Sequence, residues 1–89
     1  MFLISWQPWP FDKMQALLRE NPHLQTELTY TLRALTTQLN RSADEWGESR
    51  WDDYRLGFVG VLQVLVKVDE DDSHVEVVDL KLNRNAPPA

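Results

Sequence analysis

Apolar positions in the first forty residues fall into two different periods. "FLIS", residues 2–5, is a short apolar run and predicts a first strand. "WQPWP" ends it, because proline brings no backbone donor and fixes φ. Pro10 suits the first turn of a helix. Phe11, Met14, Leu17 and Leu18 follow at helical spacing and predict a helix over about residues 11–20. In "ENPHL", Asn21 can cap a second helix and Pro22 can occupy its first position. Leu24, Leu28, Leu32, Leu35 and Leu39 then recur every three or four positions, with Glu27, Thr31, Arg33 and Gln38 elsewhere on the wheel. This predicts a second helix over about 23–40, and the short break makes the two an antiparallel pair.

In the second half the period changes to two. "NRSADEWGESRWDD" is polar apart from Ala43, Trp46 and Trp51 and reads as the loop from helices to sheet. Tyr54 to Val59 reads as a strand, and Gly60 permits a tight turn. Leu62 to Val68 follows, with Leu62, Val64, Val66 and Val68 on one face and Val61, Gln63, Leu65 and Lys67 on the other. "DEDDS" is the next turn, and His74 to Leu82 the last strand. That strand breaks its own alternation: Val75 and Val77 share one face, while Val78, Leu80 and Leu82 share the opposite one. A bulge near Val77, or burial on both faces, accounts for the break. The order β-α-α-β-β-β predicts one α+β domain over 1–84, a helical hairpin packed on a mainly antiparallel four-stranded sheet. The tail at 85–89 reads as frayed.

Composition narrows the function classes. The chain has 89 residues and a net charge of −5, so bulk electrostatics do not draw it to nucleic acid. Nine of its fourteen acids lie in 44–53 and 69–72, whereas the nine cations are scattered and leave room for a local basic face. The absence of cysteine removes disulfides, thiol catalysis and Cys-based zinc sites, and suits a reducing cytosol. The start "MFLISWQPWP" has no basic region, sustained apolar stretch or small-residue cleavage site, so no signal peptide is expected. No apolar run approaches the roughly 20 residues of a membrane span. His23 and His74 have no metal-ligand spacing, "DEDD" lacks the Gly and final Glu of a calcium loop, and no cofactor motif is present.

The candidate chemistry is cationic. Arg55 and Lys67 stand inside apolar strands, and Lys81 and Arg84 stand at the end of the last one. Each also reads as a plain solvent-face cation. Trp46 and Trp51, in a polar loop, read either as anchors for a protein partner or as caps on the end of the core.

The stretch "GESRWDDYRLGFVGVLQVLVKVDEDDSHVEVVDLKL" resembles the second half of RelE/ParE-type toxins, small bacterial proteins of toxin–antitoxin systems with a βααβββ fold. Gly47, Arg55, Gly60, Val64, Val68, Asp69, Val75 and Val77 carry the likeness. It implies a cytoplasmic protein silenced by an antitoxin. RelE-like members cut mRNA on the ribosome without a metal, and ParE-like members bind DNA gyrase. Carried over by position, Arg55, Lys67, Lys81 and Arg84 would hold and polarise a phosphate. The chain has Gln63 and Val66 where the family often has Arg and Tyr, and no Tyr or His follows Leu82. These differences and the acidic charge favour a second reading, a non-catalytic interaction module or homodimer on the same fold.

Overall fold

The computed structural model describes residues 1–83; Arg84 and the tail at 85–89 lie outside the described residues. Its regular elements are β1 (Leu3–Trp6), α1 (Pro8–Glu20), α2 (Gln25–Ser42), β2 (Glu48–Ser49), β3 (Tyr54–Val59), β4 (Leu62–Asp69) and β5 (His74–Leu82), with single 3₁₀ turns before and after α2. The helical hairpin and the antiparallel meander are as expected. The sheet has five strands in the order β1-β5-β4-β3-β2. The additional strand, β2, is two residues long and pairs with β3. Two residues among charges carry no periodicity, so the loop reading of 40–53 hid it.

α1 begins at Pro8, three residues before the expected start, because proline costs a helix nothing in its first turn, where N–H groups have no partner. Its buried residues are Pro10 and Met14, while Phe11 faces solvent. The stripe on α2 is as expected, with Leu28, Leu35 and Leu39 fully buried, and Thr31 joins them. Thr31 lies against Gly60 at the β3–β4 turn, where φ is +54° and a Cβ would collide with the Thr31 hydroxyl.

The helices cover one face of the sheet. Under them lie Val59, Leu62, Val64, Val66, Val68, Val75, Val77 and Leu80. β1 pairs in parallel with β5 and antiparallel pairing runs through the rest. At the start of β1, Phe2 N–H donates to the Asn40 carbonyl at 2.9 Å and the Asn40 amide donates back to the Phe2 carbonyl at 3.0 Å. The broken alternation of β5 is a bulge. Leu65 pairs with Asp79 and Val66 with Val77, so Val78 has no partner on β4. The extra residue brings Leu80 to the covered face beside Val75 and Val77, and sends Asp79 and Lys81 to the open one.

Candidate functional site

Cross-strand pairing assigns every strand residue to a face. Arg55 pairs with Val66, a covered-face position, whereas Lys67 pairs with Tyr54 on the open face. The two cations are therefore on adjacent strands, as expected, but on opposite sides of the sheet. Arg55 is half-buried. Its Nε donates to the Trp46 carbonyl at 2.6 Å and its guanidinium reaches the Gly47 carbonyl at 3.5 Å. It closes the turn that leads into β2. It also borders a hollow of about 320 Å³ whose other walls include Asp44, Asp52, Asp53, Asp69, Glu70 and Asp71. Six carboxylates around one guanidinium repel a phosphate.

Trp46 takes the core role of its two alternatives. It is 8% exposed, its indole N–H donates to Gln38 on α2 at 2.8 Å, and its ring stands on Gly57. Trp51 is the opposite case, at 55% exposed. Of the four tryptophans, Trp6 and Trp46 pack on the core, and Trp9 and Trp51 face solvent.

The open face carries a different chemistry. The hairpin between β2 and β3 is tight: Tyr54 N–H donates to the Trp51 carbonyl at 2.9 Å and Arg50 N–H to the Tyr54 carbonyl at 3.0 Å. Asp52 supplies a left-handed residue at φ 46°. This turn places Trp51 beside Tyr54, with ring centroids 5.4 Å apart, and Lys67 Nζ sits 6.0 Å from the Tyr54 ring. Toward the middle of the sheet is a shallow hollow of about 200 Å³, walled by Arg50, Trp51, Leu56, Gln63, Leu65, Asp79, Leu80 and Lys81. Its apolar floor is the row Leu56–Leu65, and its polar rim is Arg50, Gln63, Asp79 and Lys81.

Several charges on this face have partners, and Glu76 accepts from Gln7. Among the described residues there are two ion pairs, Lys13–Asp79 at 3.2 Å and Arg50–Glu48 at 3.6 Å. Both are partly exposed, and such pairs contribute little to stability. Lys67 and Lys81 are in neither. Gln63 pairs directly with Lys81, so it extends the polar rim rather than adding charge. Val66 is buried under the helices, on the side away from the hollow.

The sequence-predicted set thus divides. Lys81 and Trp51 meet at the hollow, Lys67 lies near it on the same face, Arg55 and Trp46 belong to the covered side, and Arg84 is outside the described residues. Arg50, Tyr54 and Asp79 were not singled out from sequence. Their signal is weak there: Arg50 follows a strand that is two residues long, Tyr54 opens β3 with nothing in its own period to mark the ring beside it, and Asp79 changes face at a bulge. No metal-binding group of three or more His, Cys, Asp or Glu occurs among the described residues, and no described helix is long and apolar enough to cross a membrane.

Neither the protein-family profiles nor the curated proteins include a match to this chain. Among solved structures, the YoeB–YefM complex from Staphylococcus aureus contains a chain with a TM-score of 0.59 and 15% identity, over 91% of this chain and 95% of that one. The α+β fold expected from the RelE/ParE resemblance is the fold of this chain.

Proposed function

We propose that this chain is the toxin-family member of a toxin–antitoxin pair, and that its open sheet face acts on single-stranded RNA. The observation that carries the reading is the fold correspondence, which spans nearly the whole of both chains and whose counterpart comes from a complex of YoeB with YefM. An antitoxin partner follows from the same likeness. RNA is favoured over gyrase by the content of the face. Lys67, Lys81 and Arg50 supply positive charge, and Trp51, stacked with Tyr54, presents an exposed ring on which a base can rest. The hollow is smaller than the roughly 300–1,000 Å³ of free small-molecule sites, so it suits one unit of a polymer held by contacts on either side.

The reaction implied is transfer of the phosphoryl group to the RNA's own 2′-hydroxyl, helped by preorganised cations. Induction of the chain in a bacterial host is expected to arrest growth. The Lys67→Ala/Lys81→Ala double variant is expected to relieve the arrest while remaining folded by circular dichroism, and co-expression of a cognate antitoxin to do the same. Equal growth of wild type and double variant, both soluble and folded, would reject toxicity by this face. The second reading, a non-catalytic interaction surface, draws on Phe58, 59% exposed on the same face. It predicts normal growth and association that is lost on replacing Phe58 or Trp51.

A further inference from the structure

The hollow that holds Lys81 also holds a carboxylate, and that carboxylate is partly prepared for proton transfer. Asp79 and Lys81 are two residues apart on β5, beyond the bulge, so both project from the open face, roughly 7 Å apart along the strand. Lys13, reaching from α1, donates to Asp79 Oδ1 at 3.2 Å, and the Leu80 N–H donates to the same oxygen at 2.8 Å. Oδ2 takes part in neither contact. A carboxylate held through one oxygen presents the other at a defined place, which is what a general base needs. The other groups on this face are worse placed. Glu48 is 74% exposed at the sheet edge and paired with Arg50, Glu76 accepts from Gln7, and Tyr54 lies next to Lys67.

We propose that Asp79 is the general base of the open face, with Lys13 as the residue that positions it. The assignment rests on the RNA-acting reading above. Asp79 Oδ2 takes the proton of a ribose 2′-hydroxyl while Lys81 and Arg50 hold the neighbouring phosphate. The 2′-oxygen forms a bond to phosphorus and the bond from phosphorus to the 5′-oxygen breaks. The departing 5′-oxygen takes a proton from the Lys81 ammonium. One product ends in a 2′,3′-cyclic phosphate and the other in a 5′-hydroxyl. Asp79 and Lys81 then exchange their protons with water.

The test is single-turnover cleavage of a short single-stranded RNA by the purified chain, with and without ribosomes. Binding of the 2′-O-methylated version of the same RNA is measured in parallel. Asp79→Asn is expected to slow cleavage by about 10²- to 10⁴-fold. Its affinity for the methylated RNA should stay within about threefold of wild type, since the lost interaction is made in the transition state. Asp79→Glu is expected to recover part of the rate, and Lys13→Met to lose less than Asp79→Asn. Cleavage by Asp79→Asn at the wild-type rate would overturn the assignment to Asp79 and leave the RNA-acting reading standing. Binding without cleavage by the wild type, in either condition, would overturn the assignment together with the reaction. Absence of both binding and cleavage would reject the RNA-acting reading itself.

Discussion

Arg55 shows how a residue's neighbours decide its meaning. The family resemblance implies a phosphate-binding cation there; by geometry it is a clasp on the carbonyls of Trp46 and Gly47. The aromatic ring it helps to hold rests on Gly57, where an added Cβ would lie 2.5 Å from the indole. Gly57→Ala is therefore expected to destabilise the fold by about 1–3 kcal/mol through overpacking. Combining it with Trp46→Leu should cost less than the sum of the two single changes, because the smaller side chain leaves the space that the new methyl needs. Urea unfolding of the two single variants and the double would show this, and simple additivity would contradict the contact. Some of this was legible in the sequence and some was not. That Trp46 is special could be read from a tryptophan among charges, but not that it points inward. The deciding partner, Gly57, has no side chain to signal the contact, and Gln38 is 8 residues away on a helix.

At the scale of elements, the hydrophobic pattern carried most of the fold. Long periodic segments reveal themselves, and α2 and β4 lie where their stripes put them. The site was less legible because it depends on one irregularity. The break in alternation within β5 pointed to a bulge near Val77, and the unpaired residue is Val78. Which side chains gain the open face follows from that single extra residue, so Asp79 and Lys81 owe their address to it. Deleting Val78 is expected to restore unbroken alternation with every β4 pairing kept, so that Leu80 stays covered and Asp79 and Lys81 stay on the open face. A deletion that instead turned the fully buried Leu80 out would cost about 2–5 kcal/mol. The shortened chain should therefore keep a cooperative fold, with a well-dispersed amide NMR spectrum and Leu80 protected. Collapse of the dispersion would contradict the pairing.

For the whole molecule, the net charge of −5 is unevenly spread. Six carboxylates surround the hollow beside Arg55, while on the open face Arg50, Lys67 and Lys81 stand among Glu48, Glu76 and Asp79. The acid-rich end repels itself. Screening should relieve the self-repulsion. Raising salt from low concentration to about 0.5 M is expected to stabilise the fold by roughly 0.5–1 kcal/mol, since the Debye length contracts to a few ångströms. The Asp53→Asn/Glu70→Gln variant should be more stable than wild type at low salt and gain less from added salt. Thermal unfolding across a salt series checks both. A wild type that loses stability with salt would show that attractive pairs dominate instead.

The two bonds between Phe2 and Asn40 have a consequence for how copies of this chain meet. Leu3 and Gln7 donate their N–H groups toward the β5 side, to the Ser73 and Val77 carbonyls, so Ile4 and Trp6 direct theirs outward along the sheet margin. Phe2 is already taken by Asn40, and Pro8 has no N–H to offer. The margin is thus blocked at one end and mute at the other, with two donors between. A template that short gives an incoming extended segment too few rungs to grow on, so this side of the sheet discourages stacking into fibrils without spending a charged residue on the task.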